Sequence, residues 1–342
     1  MASTPIPTKG EYFKMSRTIS FSQALREAMT EEMELDSSVF LMGEDVGMFG
    51  GVFGVSTGMV QQFGEKRVRD TPISEQGIVG AGLGAALVGM RPIVEIMFAD
   101  FATIAMDQIV NQAAKARYMS GGKASVPLIM RIVNGAPGSA AAQHSQSPEA
   151  WFMNVPGLKI AIPATPYDAK GLLKTAIRGA DPVLFFEHKM LYATEGEVPA
   201  EDYTVPFGQA AIRRAGTACT VIAIGGVLPH ALAAADKLVD QGISVEVVDP
   251  RTLVPFDTAA VVESVKKTGR AVIVHEAHLR AGPGAEIAAI LAEQAIGYLD
   301  GPIIRVATKN VPFPYNPDLE KFILPGPDDI VRAVEGVVTY QL

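Results

Sequence analysis

Cys219-Thr220-Val221-Ile222-Ala223-Ile224 is the stretch on which the fold turns. It is short, apolar and uncharged, and Pro229–Asp240 after it reads as a helix. The same couple recurs downstream. Ser244–Val248 precedes a helix at Thr258–Lys267, Ala271–Val274 precedes one near Gly284–Ala295, and Ile303–Val306 is followed by Pro327–Val338. Buried strands spaced by helices pair in parallel through crossovers, so the pattern is a βαβ array. At about 135 residues the array is long enough to enclose a core of its own.

Towards the N-terminus, Ala193–Pro206 marks a boundary. It has few large apolar residues, two prolines, and the acids Glu195, Glu197, Glu201 and Asp202. Before it, Val39–Met42, Arg91–Phe98, Val126–Val133, Leu158–Ile162 and Val183–Phe186 read as strands, with helices at Phe101–Met119 and Tyr167–Arg178. Ser20-Phe21-Ser22-Gln23 reads as a capping box, opening a helix with Leu25, Ala28 and Met29 on one face. Gly47–Gly54, with four glycines and two phenylalanines, reads as a mobile or closely packed loop. The expected architecture is α/β. Two domains, 18–192 and 207–342, each surround a mainly parallel sheet; 193–206 links them and 1–17 forms a flexible N-terminus.

Composition narrows the function. In 342 residues, a hydrophobic share of 48% against 19% charged excludes both a disordered chain and a coiled coil. Lys and Arg number 29 against 37 Asp and Glu, a net charge of −8 with no basic run, which argues against nucleic acid as a partner. Cys219, the single cysteine, permits neither an internal disulfide nor a cysteine-built zinc site. A reducing, cytoplasmic setting is expected. Residues 1–17 lack the pattern of a signal peptide. The longest uncharged apolar stretch, Gln76–Met90, is 15 residues. That is short for a bilayer span, so it reads as a buried Gly/Ala helix and no membrane association is expected.

Several residues could carry chemistry. Glu75, in Asp70-Thr71-Pro72-Ile73-Ser74-Glu75, stands where a loop becomes that helix. It is either a capping acid or a buried carboxylate facing a cofactor. Gly80-Ala81-Gly82-Leu83-Gly84-Ala85 has the spacing of a dinucleotide fingerprint but lacks the preceding strand, so close helix packing explains it better. His144, in the small-residue loop after a strand, is either a proton-transfer group or a surface histidine. His275 and His278 would need a fuller ligand set to hold a metal, and read as a structural or interface loop. Neither a G-x-S-x-G elbow nor a phosphate-binding G-x-x-x-x-G-K-[ST] loop occurs.

Taken in order, Gly43-Glu44-Asp45-Val46, Asp70-Thr71-Pro72-Ile73-Ser74-Glu75, Arg91-Pro92-Ile93-Val94-Glu95, Tyr118-Met119-Ser120-Gly121-Gly122, Gln143-His144-Ser145-Gln146 and Val248-Asp249-Pro250-Arg251-Thr252 form a specific series. The series resembles the β subunit of the thiamine-diphosphate-dependent decarboxylating component of 2-oxo acid dehydrogenase complexes, from about residue 18 onwards. The resemblance implies a transketolase-like pyrimidine-binding domain followed by a transketolase C-terminal-like domain. It implies that Glu75 hydrogen-bonds the cofactor's aminopyrimidine, that Phe101 and Ile73 lie against that ring, and that Glu44 is an acid further inside. It implies that His144 assists acyl transfer to a lipoyl group. A potassium ion is implied at Leu128, Ala176, Ile177, Gly179 and Asp181, held largely by main-chain oxygens.

The family's Gly-Asp-Gly motif, which binds the magnesium of the cofactor diphosphate, is absent from this chain. The resemblance therefore implies an α subunit that supplies the magnesium site, an α2β2 heterotetramer, and docking to a lipoyl acyltransferase core. Glu187-His188-Lys189 points to pyruvate or acetoin members, whereas Ser145-Gln146-Ser147-Pro148-Glu149-Ala150 also resembles branched-chain members. A non-catalytic scaffold subunit is the reading from another class. The presence of both Glu75 and His144 argues against it.

Overall fold

Strands covered on both faces by helices are mainly apolar, and each strand expected above is present, with β14 a half-buried edge strand. The computed structural model describes residues 16–340. The first part comprises β1 (Ser16–Ser20), α1 (Phe21–Leu35), β2 (Val39–Gly43), α2 (Met59–Phe63), β3 (Val68–Asp70), α3 (Glu75–Leu87), β4 (Arg91–Ile96), α4 (Ala114–Met119), β5 (Ile129–Asn134), α5 (Glu149–Met153), β6 (Lys159–Ala161), α6 (Pro166–Arg178), β7 (Val183–His188) and β8 (Glu195–Pro199). The second comprises β9 (Ala211–Arg214), β10 (Cys219–Ala223), α7 (Leu228–Val239), β11 (Val245–Asp249), β12 (Thr252–Val254), α8 (Thr258–Thr268), β13 (Ala271–His278), α9 (Pro283–Gln294), β14 (Ile304–Thr308), α10 (Pro317–Ile323) and α11 (Pro327–Val338).

A seven-stranded sheet runs β12-β6-β7-β5-β4-β2-β3 and a five-stranded sheet runs β14-β13-β10-β11-β9. Each is parallel except at one edge, where β12 pairs antiparallel with β6 and β9 with β11. Neighbouring residues face opposite sides, as strand geometry requires. Ile93 and Val221 enter one core cluster, and Val94 and Ile222 the other. Both clusters run through both sheets, so the two parts share their apolar interior. Gly82 shows how tightly α3 lies on the sheet: a Cβ there would meet Val94 Cγ1 at 2.7 Å and Leu128 Cδ1 at 3.0 Å. Close packing accounts for Gly82, whereas a Cβ at Gly84 would meet nothing within 4 Å.

Four expectations are corrected. Residues 193–206 are not a loose linker, because β8 pairs with β1 and Asp202 bonds Lys174 and Arg178 of α6. Asp202 is an ion-pair partner of Lys174 and Arg178, while the buried Lys170 and Lys174 also pair with Glu31 of α1. The expected flexible segment 1–17 includes Ser16 and Arg17, which are part of β1; residues 1–15 lie outside the described range. The helix expected over 101–119 is three pieces: a 3-10 turn at Ala99–Thr103, a π-helical turn at Gln108–Ala113, and α4. The capping box is half formed. Ser20 accepts from the Gln23 N–H, but the Gln23 side chain donates to Glu27 one helical turn on instead of reaching back to the Ser20 backbone.

Candidate active site

Ligand sites of open parallel sheets lie beyond the carboxyl ends of the strands. Five strands of the larger sheet deliver the candidate residues there. Glu44 follows β2, Thr71–Glu75 follow β3, Phe101 follows β4, His144 lies on the loop after β5, and His188–Lys189 end β7.

The β2 and β3 ends are stitched together. Asp70 accepts the N–H groups of Gly47 (2.6 Å) and Met48 (3.1 Å), and the Thr71 N–H donates to the Gly43 carbonyl. This holds the glycine-rich loop down: Gly50, in the left-handed region, leaves no room for a Cβ against Thr57. Glu75 begins α3, where the helix dipole favours a carboxylate. Ser74, not Glu75, is the capping residue, accepting from the Gly77 N–H. Glu75 is 4% exposed and its carboxylate has no hydrogen-bond or ion-pair partner among the described residues. Glu44 is buried beside it. Desolvation, then the charges of Glu75, Asp45 and Glu95, hold its carboxyl above the ordinary range. Glu44 Oε1 and Thr71 Oγ1 are both buried without a partner. Unpaired polar atoms in such a position are costly unless something else satisfies them. Ile73, at the mouth, is 83% exposed.

The other wall is aromatic. Phe101 lies 5.8 Å from Phe98 and 5.3 Å from the His144 ring, and His144 lies 4.6 Å from Phe98, all edge to face. The break of the expected helix is what brings Phe101 here, on the 3-10 turn directly after β4. The Lys189 ammonium donates to the His144 carbonyl at 2.9 Å, and burial holds its pKa below the ordinary range. Gln146 closes the loop by donating to Asp100 Oδ1 at 2.7 Å.

Beneath the site lies a charge cluster that was not read from the sequence. Arg131 on β5 is fully buried and bonds both oxygens of Glu187 at 2.7 Å and Glu95 Oε2 at 2.6 Å; Tyr192 also donates to Glu187. Burial works against each charge, but the pairing keeps the arginine protonated.

The residues matched to potassium form a different arrangement. The Ile177 and Gly179 carbonyls converge on the Arg91 guanidinium at 2.8 and 2.7 Å. The Leu128 carbonyl accepts from Val183, that of Ala176 accepts from Gly179, and the Asp181 carboxylate pairs with Arg117 and Lys159. Side chains of this chain thus supply positive charge at the Ile177 and Gly179 carbonyls and at Asp181, while backbone N–H groups engage the Leu128 and Ala176 carbonyls. The donor set does not call for an added ion, and no step is derived through one. His275 and His278 are on a strand; His275 is buried against the Ala277 carbonyl, with its pKa lowered to about 4 by burial. Among the described residues no cluster suited to a metal occurs.

Three residues around the His144 loop were passed over in the sequence. They are Lys189, Glu276 and Glu320. No local pattern distinguishes them, because their partners lie between 45 and 182 residues away.

Comparison with known proteins fits this geometry. The transketolase pyrimidine-binding domain family matches residues 17–195, and the transketolase C-terminal domain family matches residues 208–330. The chain is 48% identical to the pyruvate dehydrogenase E1 component subunit beta of Rhizobium meliloti, over 94% of this chain and 70% of that one. It is equally identical to the 2-oxoisovalerate dehydrogenase subunit beta of Bacillus subtilis (94% and 99% covered). The same figure holds for the beta subunit of the acetoin:2,6-dichlorophenolindophenol oxidoreductase of that organism (93% and 97%). A solved split-gene transketolase, an inactive beta4 tetramer, superposes with a TM-score of 0.78 at 23% identity, covering 95% of this chain and 99% of that one, which shows the shared fold. The chain therefore belongs to the transketolase-like family of 2-oxo acid and acetoin dehydrogenase β subunits.

Proposed function

We propose that this chain, with an α subunit in an α2β2 assembly, decarboxylates pyruvate or cleaves acetoin using thiamine diphosphate, and passes the acyl group to a lipoyl group of an acyltransferase core. The observation that carries the reading is the pair of buried, partnerless atoms Glu44 Oε1 and Thr71 Oγ1 beside the buried Glu75. Buried acceptors without donors match a ligand ring that carries N–H groups and ring nitrogens, so the residues present fit the aminopyrimidine of the cofactor. When bound, the cofactor supplies an electron sink for loss of the substrate carboxylate.

The roles of this chain follow from its own atoms. Glu75 holds a proton at a ring nitrogen, and its burial strengthens that hydrogen bond. Glu44, whose carboxyl is held above the ordinary range, retains a proton more readily than a free glutamate and stands next to Glu75 to exchange it. Phe101 and Ile73 offer apolar surface to the flat ring. His144, fixed against Phe98 and Phe101, moves a proton near the acyl group during transfer.

A β subunit without the magnesium-binding motif needs its partner for the diphosphate half of the site. We place the magnesium in the α subunit and propose no part for potassium. Domain limits of 18–192 and 207–342 are proposed with two amendments: the paired strands β1 and β8 extend the first domain to 16–199, and the short strand β12 lies in the second segment but pairs with β6 of the larger sheet. Among the described residues no helix is long and apolar enough to cross a membrane, and we propose a cytoplasmic site of action.

The second reading is a branched-chain substrate, favoured by the equal identity to the 2-oxoisovalerate subunit. Purifying the chain with its α subunit, measuring native mass and bound cofactor, and comparing turnover of pyruvate, acetoin and 2-oxoisovalerate decides between them. A lone chain without cofactor, or unchanged turnover in Glu75→Ala, would sink the catalytic reading.

A further inference from the structure

The loop that carries His144 runs from Gly135 to Ser147, and it is gripped from the second half of the chain. Glu276, on β13, reaches both ends of the loop. Its Oε1 accepts the Ala136 N–H at 2.6 Å and lies 3.4 Å from Ser147 Oγ, while its Oε2 is 2.9 Å from His188 Nε2. Glu320, on α10, is 1% exposed and holds the middle, its Oε2 accepting the N–H groups of Gly138 (3.1 Å) and Ser139 (3.0 Å). Between these two carboxylates the loop backbone is strained. Ser139 and Ala141 occupy the left-handed region at φ 51° and 62°, which non-glycine residues leave unless their surroundings hold them. Gly135 has no space for a side chain, since a Cβ would fall 2.1 Å from His188 Nε2.

We propose that Glu276 and Glu320 are positioning residues: two carboxylates of the second domain that clamp the strained 135–147 loop and so set where the His144 ring stands. The inference rests on the role proposed above for His144. It follows from three observations together. A buried carboxylate that accepts two backbone N–H groups is costly to place there unless those bonds are needed. Both acids come from outside the domain that bears the loop. The strained residues lie immediately after the Glu320 contacts. The physical consequence is that the second domain fixes the loop backbone on which the His144 ring stands, through the Glu276 and Glu320 oxygens. A misplacement of about 1 Å at a reacting group costs on the order of 10²-fold in rate.

The test uses the assembled complex with its α subunit. Glu276→Ala and Glu320→Ala are compared with Glu276→Gln and Glu320→Gln, whose amide oxygens still accept a backbone N–H. Hydrogen exchange is followed over 135–147, and acyl transfer to a lipoyl domain is the second readout. The alanine variants are expected to raise exchange about tenfold within 135–147 alone. They should lower kcat for transfer by about 10²-fold while KM for the oxo acid shifts less than about twofold. The glutamine variants should restore both. Unchanged exchange in both alanine variants overturns the clamp, and so does exchange that rises equally throughout the chain. His144→Ala serves as the control: if it leaves transfer intact, the role of His144 fails, while the exchange result still decides whether the loop is clamped.

Discussion

The two walls of the site differ in how far this chain completes them. The His144 wall is held within this chain: its loop is bonded to Lys189, Asp100, Glu276 and Glu320 and its ring is packed on Phe98 and Phe101, although Ser145 Oγ and Glu320 Oε1 are buried without partners. The Glu75 wall is unfinished. Glu75, Glu44 Oε1 and Thr71 Oγ1 have no partners, and Ile73 stands in the open. Folding satisfies most buried polar groups, and the unpartnered atoms stand on both walls; what sets the Glu75 side apart is the exposed Ile73 beside two adjacent acids, Glu75 and Glu44. The comparison assigns a ligand and a second subunit to the Glu75 side. It assigns reaction geometry, held by this chain alone, to the His144 side.

The sharpest way to break the comparison is Glu75→Gln. An amide cannot hold the proton that the carboxylate exchanges, and activity of the assembled complex should fall about 10²–10⁴-fold with assembly intact. His144→Ala should cost about 10²-fold in acyl transfer and less in decarboxylation, read with an artificial electron acceptor. Equal losses in both steps would erase the distinction between the walls.

A third prediction concerns pH. Burial, with Glu276 nearby, pushes Glu149 up to about 7, although the Asn134 amide donates to it and the His188 ring adjoins. An acid whose folded pKa is raised binds its proton more tightly in the folded state. Its contribution to stability is therefore present below the unfolded value near 4.5 and is lost as pH rises from there to about 7. Glu149→Gln should flatten that part of the stability profile, by about 2–4 kcal/mol, in thermal unfolding followed from pH 4.5 to 8. A profile unaltered by the substitution would show that Glu149 is not buried as described.

Arg91→Met would strip the cation from the Ile177 and Gly179 carbonyls, and should cost about 1–3 kcal/mol. It should also make the melting temperature respond to potassium against sodium more than in the parent. The smallest effect is expected at the open wall: Ile73→Asp should leave the thermal stability of the lone chain within about 0.5 kcal/mol, because the side chain touches little there. The same change should weaken assembly with the α subunit, measured by native mass. An unweakened assembly would place the partner elsewhere.

Legibility followed the range of the interactions. The helix Pro327–Val338 and the runs Val39–Met42 and Cys219–Ile224 could be read because periodicity and apolar content are local. The helix over 101–119 misled, because nothing in its composition marks the 3-10 and π turns that redirect it. The strand β8 is not legible because its acidic, proline-bearing composition resembles a linker, and its pairing partner β1 lies about 180 residues away.

Sequence alone determined the α/β class, the paired domains, and the presence of Glu75 and His144 in their motifs, since these depend on residue type at short spacing. Only the tertiary structure decided which buried acids stand unpaired, that Arg91 takes the carbonyls matched to potassium, and that Glu276 and Glu320 hold the His144 loop. Those facts are relations between residues tens to hundreds of positions apart, and a carboxylate carries no local sign of whether its partner is a cation, a backbone amide or a ligand.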